Sequence, residues 1–287
     1  LFRSMFDICL AVSLLYFKQE KCTHVVLEVG LGGRYDSTNF IKKPFITVIT
    51  KIDYDHTEIL GKTLAKIAYD KAGIIKKNSL VVVGEKRPEL LRLFKKITKE
   101  VGGNWVKVMP VEKVGKSEMP EPNAAIISTI LNLCKVDQKF ITSVIQDSKL
   151  PCRFEVMKST AKKPTIILDG AHSAVKMRST RERVLKLVKV NRGKLNLVIA
   201  VANTNHDIYG ALTEIIPYVD TIYVTSTKGF ERKSTDPYVL EKVVLELKKK
   251  NTSVCVVENP YSALNFAIKN SKTADYVLVT GSFFLAG

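Results

Sequence analysis

Thr23-His-Val-Val-Leu-Glu-Val-Gly-Leu-Gly-Gly-Arg-Tyr-Asp-Ser-Thr-Asn39 runs an apolar, β-branched stretch into three glycines and then into a polar cluster. A short apolar run closed by glycine predicts a buried strand over 23–29. Glu28 then stands at the carboxyl end of that strand, the edge at which open α/β sheets bind their ligands. Glycines 30, 32 and 33 invite a dinucleotide-binding reading, but that fingerprint needs a further glycine where the chain has Tyr35. Nicotinamide chemistry is set aside on that ground.

Outward from this stretch, Val- and Ile-rich runs alternate with amphipathic ones. The first half predicts further strands over 45–52, 79–84 and 105–109, with helices over 6–19, 63–72, 87–101, 123–133 and 141–146. The 110–122 segment carries three prolines and mixed charge and predicts a surface loop. A second alternation follows, with strands over 165–169, 195–201, 221–225, 254–258 and 276–280 and helices over 177–190, 208–216, 237–250 and 261–270. Each half reads as a doubly wound α/β unit. The boundary is expected at 150–153, giving domains 1–150 and 151–287.

Composition narrows the classes. The chain has 287 residues, 46% of them hydrophobic, and 45 Lys+Arg against 28 Asp+Glu, a net charge of +17. Disorder and collagen-like repeats are excluded. The lysines are dispersed without aromatic interleaving, so no nucleic-acid partner is expected, and the charge suits small polyanionic substrates. The longest apolar stretch, 8–17, has about half the residues a bilayer span needs and is expected to be a core helix; no membrane partner is expected. Five cysteines without a C-x-x-C pair read as reduced thiols and place the protein in the cytoplasm. The four histidines lack zinc-site spacing.

Two polar clusters follow strands in the first half. Glu28 ends one, and Asp53-Tyr-Asp55-His56 follows the next, so parallel strands would let Glu28 and His56 reach one site. A carboxylate with few other protein ligands suits Mg²⁺ held partly by substrate phosphates. In the second half the 165–169 strand runs into Gly170-Ala-His172-Ser173, where Asp169 or Ser173 could equally cap a helix.

The strings Glu28-Val-Gly-Leu-Gly-Gly-Arg-x-Asp-x-Thr-Asn39, Asp55-His56, Leu60-Gly61, Asp70-Lys71-Ala-Gly-Ile74, Pro122-Asn123-Ala, Leu150-Pro-x-Arg153-Phe, Leu168-Asp-Gly-Ala-His172 and Gly281-Ser-Phe283 occur in one order along the chain. Together they resemble the dihydrofolate synthase/folylpolyglutamate synthase branch of the Mur ligase family. The resemblance implies a P-loop-NTPase-like central domain, incomplete at its N-terminus, and a Rossmann-like C-terminal glutamate ligase domain. It implies ATP-dependent amide synthesis: a substrate carboxylate is phosphorylated, and the amine of L-glutamate attacks the acyl phosphate. Dihydropteroate and reduced folates are the implied acceptors.

Site residues follow from the same resemblance. Glu28 and His56 fall on the family's Mg²⁺ ligands, two ions being implied, and Lys71 on its carbamylated lysine, which joins His56 in the catalytic set and turns a cation into a carboxylate-like metal ligand. Asn123, Arg153, Asp169 and His172 fall on ATP-contacting positions in the cleft between the domains. Asp36 and Ser37, with Ser4 and Phe6, resemble the pterin-binding positions, although Phe6 also begins an apolar helix where core packing is as good a reading. The family's glycine-rich phosphate loop, Gly-x-x-x-x-Gly-Lys-Ser/Thr, is not in the chain, which is expected to open past it. Cys152 stands where the family has Gly, Ser173 where it has Asn, and Asn205-His206-Asp207 where it has Asp-Lys-Asp. A monomer is expected. Two rivals stay open: a non-catalytic remnant that binds folates or a partner, and a related amide ligase acting on another acid.

Overall fold

The computed structural model describes residues 4–54, 56–111, 119, 121–158, 163–203, 207–227 and 234–287. Asp55, most of the 110–122 loop and Asn205-His206 lie outside the described residues. The chain divides into two compact units, 1–148 and 149–287.

The first unit contains, in order, α1 (Met5–Gln19), β1 (Ile46–Ile49), α2 (Thr57–Leu60), α3 (Leu64–Lys71), β2 (Leu80–Val83), α4 (Pro88–Val101), β3 (Asn104–Val106), α5 (Glu121–Leu133) and α6 (Gln138–Asp147). Its strands form a parallel sheet in the order β1-β2-β3. Helix α4 shows why the sequence pattern works. Pro88 opens it, where a missing N–H costs nothing, and Gly102 closes it in the left-handed conformation at φ 77°. Leu90, Phe94, Ile97 and Thr98 line its buried face. That face closes a core with Ile49, Ile52, Ile67, Val81 and Val83.

The second unit contains β4 (Arg153–Met157), β5 (Thr165–Asp169), α7 (Ala174–Asn191), β6 (Leu195–Ile199), α8 (Ile208–Thr213), β7 (Thr221–Val224), α9 (Pro237–Leu247), β8 (Ser253–Val256), α10 (Pro260–Lys269), β9 (Tyr276–Thr280) and α11 (Phe283–Ala286). The sheet order is β4-β5-β9-β6-β7-β8, with β4 antiparallel to β5 and the other pairs parallel. Strands β6 and β9 are buried along their whole length, which explains why they read as unbroken apolar runs. Leu197, Ile199, Leu278 and Val224 face the larger core, and Val198, Val277, Val279 and Tyr223 face Ala263 and Ala267 of α10.

Three expectations are corrected. Residues 23–29 form no strand, and Val26 is 94% exposed. Val-rich sequence favours a strand only where a neighbour completes its ladder, and no described strand pairs with this one. The premise that parallel strands align Glu28 with His56 fails with it. Secondly, α1 is no core helix: none of its residues is buried. Its apolar residues are spread around the helix, and among them Met5, Val12 and Leu15 are exposed while one end meets the Ser37–Phe40 turn. Lastly, β4 is a strand that periodicity missed. Arg153-Phe-Glu-Val-Met157 is an edge strand with a register shift between Arg153 and Glu155, and such a bulge breaks the period-2 pattern. Cys152 and Phe154 adopt φ 56° and 58° there. Glycine takes that conformation without strain, so a family glycine at 152 has a physical reason.

Candidate active site

In the first unit the predicted residues gather around one turn. The Asp36 carboxylate accepts from the Gly30 and Leu31 N–H groups through Oδ2, at 3.0 and 2.9 Å. Through Oδ1 it accepts from the Thr38 N–H and hydroxyl, at 2.9 and 2.5 Å. It thereby closes the glycine turn and caps the Ser37–Phe40 turn with one side chain. Burial would raise its pKa, but the Thr38 hydroxyl and the three N–H groups outweigh it and hold the carboxyl below its usual value.

Ser37 donates to Asp7, whose other oxygen accepts from the Ser4 N–H at 3.0 Å. Ser4 in turn accepts from the Asp7 N–H, so the capping box that begins α1 is tied to the turn. A methyl group added at Gly30 would touch Phe6 at 3.4 Å and Asp36 at 3.2 Å. Ser4, Phe6, Asp36 and Ser37 are thus brought together. Asp7 binds them, a residue passed over by the sequence reading although its place three residues after Ser4 marks a capping box.

The 28–39 and 70–74 strings lock onto each other. A Cβ at Gly33 would lie 2.8 Å from the Lys71 carbonyl oxygen and 2.9 Å from its Cα. One at Gly73 would lie 2.5 Å from Arg34 Cβ. The Arg34 N–H donates to the Asp70 carbonyl at 3.0 Å. Asn39 donates through its amide to the carbonyls of Arg34 and Gly73, at 2.9 and 3.2 Å, and accepts from Lys76 Nζ at 2.7 Å. Burial and the neighbouring Arg34 cation push the Lys76 ammonium below its usual pKa. Lys71 closes α3, half-buried, with its backbone fixed against the Gly33 turn.

His56 and Glu28 are both exposed. His56 holds a left-handed conformation at φ 49°, uncommon outside glycine, and its Nδ1 lies 3.7 Å from Glu58 Oε1. The loop leading to it is anchored from below. Glu85, with a side chain 2% exposed, accepts from the Ile52 N–H at 3.0 Å, and Arg87 donates to both Glu85 and the Ile52 carbonyl. Burial works against this carboxylate, but the Arg87 guanidinium and the N–H groups of Arg87, Ile52 and Lys86 draw its pKa down to about 2. Neither Glu85 nor Arg87 was flagged by sequence; a Glu two residues before an Arg carries no signal until the fold places both beside Ile52. Among the described residues no three His, Cys, Asp or Glu side chains stand together as a metal cluster.

In the second unit Arg153 and His172 meet Phe283, and Asp169 holds the turn that carries His172. The Arg153 guanidinium lies 4.4 Å from the Phe283 ring centroid, and the His172 ring meets Phe283 edge-on at 5.9 Å. Asp169 is buried and accepts from the Ala171 N–H at 2.9 Å and the Thr180 hydroxyl at 2.8 Å, which holds the 169–172 turn. His172 Nδ1 lies 2.9 Å from the Gly170 carbonyl and Nε2 lies 3.2 Å from Lys176 Nζ. Since an ammonium and a carbonyl cannot both face a donor-only ring, this fits the tautomer protonated at Nδ1. Asn123 sits exposed in the first turn of α5, in the other unit.

Comparison with known proteins fits this arrangement. Residues 6–130 match the Mur ligase middle domain and residues 152–283 the Mur ligase glutamate ligase domain. The dihydrofolate synthase/folylpolyglutamate synthase of Haemophilus influenzae is 30% identical over 97% of this chain and 70% of its own length. That of Escherichia coli is 31% identical over 94% and 65%. The solved structure of E. coli FolC in complex with DHPP and ADP superposes with a TM-score of 0.80 at 28% identity, covering 96% of this chain and 67% of that one. A crystal structure of the Yersinia pestis bifunctional enzyme with AMPPNP and Mn ion gives 0.78 at 26%, over 96% and 67%. The chain thus spans about two thirds of the length of these relatives. With both halves matched in order and sequence identity running end to end, the chain belongs to the dihydrofolate synthase/folylpolyglutamate synthase family, built on Mur ligase middle and glutamate ligase domains.

Proposed function

We propose that this chain forms the greater part of an ATP-dependent acid–amino-acid ligase that joins the amine of L-glutamate to the carboxylate of dihydropteroate or a reduced folate through an acyl phosphate. The observation that carries this reading is the interlock of the 28–39 and 70–74 strings, which fixes Lys71 against the glycine turn beside Asp36, Ser37, Ser4 and Phe6. Acyl transfer through a phosphorylated carboxylate asks a protein chiefly for positioning and for neutralisation of phosphate charge.

The residues present suit a divalent cation. Glu28 offers an exposed carboxylate that no described hydrogen bond or ion pair occupies, and His56 is presented at the start of α2 by a strained backbone. Glu28, His56 and Lys71, the last as a carbamate, would hold Mg²⁺. When bound, the metal supplies positive charge to phosphate oxygens. Asp36 acts as a positioning residue, since protein donors already take both its oxygens, whereas Asp169 holds its turn through Oδ1 and offers Oδ2 to the nucleotide. Arg153 and His172, with Phe283 between them, offer a cation, a ring nitrogen and an aromatic face to a nucleotide, and Asn123 offers an amide. Charge, free thiols and the lack of any described helix long and apolar enough to cross a membrane accompany a small-molecule enzyme working as a monomer in the cytoplasm.

The test is glutamate-dependent ADP release by the full gene product, including whatever the reading frame encodes before Leu1, with dihydropteroate and with tetrahydrofolate as acceptors. Turnover with at least one, lost in Lys71→Ala, is expected. ADP release that ignores glutamate, or a Lys71→Ala protein as fast as the parent, would overturn the reading.

A further inference from the structure

We propose that a pocket in the first unit, walled by Arg34, Tyr35, Leu60, Lys66, Tyr69 and Asp70, binds a planar aromatic monocarboxylate. The pocket has a volume of about 460 Å³, within the size range of small-molecule sites. Its key feature is Arg34. The guanidinium lies over the Tyr69 ring, 4.5 Å from the centroid, and none of the hydrogen bonds or ion pairs among the described residues uses it. Its Nε is buried with no partner at all. A buried donor left unpaired is costly to the fold, and a carboxylate is the group whose two oxygens match a guanidinium edge.

The rest of the pocket selects the other half of the ligand. Leu60 and the Tyr35 and Tyr69 rings make its walls mainly apolar, which rewards a flat hydrophobic body and offers little to a hydrated inorganic anion. Lys66 adds a second cation and Asp70 one carboxylate, so two positive groups face one negative one and a single negative charge on the ligand balances them. The site is distinct from the cluster around Asp36 and does not rest on the ligase reading. It does adjoin that machinery, because Arg34 follows Gly33, whose Cα is packed on Lys71, and Asp70 precedes Lys71.

The test titrates 2-naphthoate into the 287-residue chain by calorimetry, with 2-naphthamide and inorganic phosphate as comparison probes. One-to-one binding with Kd of about 1 mM or tighter is expected for thirteen non-hydrogen atoms. The neutral amide should bind at least tenfold more weakly, Arg34→Met should weaken naphthoate at least tenfold, and Lys66→Gln three- to fivefold. Methionine keeps the stem that packs on Gly73, and Lys66 is an exposed helix position, so its variant decides the matter if Arg34→Met fails to fold. Equal affinity for acid and amide, unchanged affinity in both variants, absence of saturable naphthoate binding, or displacement of naphthoate by millimolar phosphate would each overturn the proposal.

Discussion

Glu85→Gln tests how the loop before His56 is held. The carboxylate is buried, its pKa is drawn from 4.5 to about 2, and the Ile52 N–H and the Arg87 guanidinium both donate to Oε2. A depression of about 2.5 units corresponds to about 3 kcal/mol favouring the ionised, folded form. Glutamine keeps the shape but sets an NH₂ against donors, so this variant should lose about 3 kcal/mol at pH 7, in line with removing one partner of a buried pair. The sign of the pH effect is fixed: a depressed carboxyl stabilises above its unfolded pKa, near 4.5, and that stabilisation fades as pH falls from there towards 2. The difference between parent and variant should therefore shrink from about 3 kcal/mol at pH 7 to about 1 kcal/mol at pH 3. Trp105, the single tryptophan, packs beside the core of this unit and reports urea unfolding of it by fluorescence. A difference under about 1 kcal/mol at pH 7, or one that stays constant from pH 7 to pH 3, would refute the reasoning.

Other consequences are as direct. Gly33→Ala forces a methyl group onto the Lys71 backbone and Gly73→Ala onto Arg34; each should cost about 1–3 kcal/mol in the same urea assay. Asp36→Asn removes the charge that four donors share and should cost about 1–2 kcal/mol, with Ser37→Ala smaller, both read by thermal unfolding. Phe283→Leu removes the ring between Arg153 and His172; a loss of about 1 kcal/mol, roughly fivefold in ADP affinity by calorimetry, is expected, and an unchanged affinity would take Phe283 out of the site.

The fold was legible wherever burial alone decides the pattern. Strands β6, β7 and β9, closed in on both faces, and α4, with one clean apolar stripe between Pro88 and Gly102, appear in the sequence within a few residues of their ends. What failed depends on neighbours. The 23–29 run has strand composition and no partner, and β4 is an edge strand whose bulge and two left-handed residues scramble its alternation. The site was legible as a set of strings but not as a set of jobs. A sequence does not show which carboxylates hold a turn, as Asp36 and Asp169 both do.

The two strings that carried the resemblance furthest touch each other. Gly-Leu-Gly-Gly-Arg supplies the bare Cα at Gly33 that lets the Lys71 backbone approach, and Asp-Lys-Ala-Gly supplies the bare Cα at Gly73 that accepts the Arg34 stem. Their glycines are therefore packing requirements, each written by the other's backbone. Lys71 gains its position from this contact before any ligand is present, since its Cα is fixed by Gly33 while its side chain extends from the last turn of α3. It follows that a methyl group at Gly33 should displace the lysine as well as loosen the fold. In the full gene product Gly33→Ala should then lower kcat more than its stability cost alone explains, whereas a cavity in the α4 face of equal cost, such as Leu90→Ala, should leave kcat of the folded fraction unchanged. Equal kcat in the two variants would mean that the interlock serves stability alone.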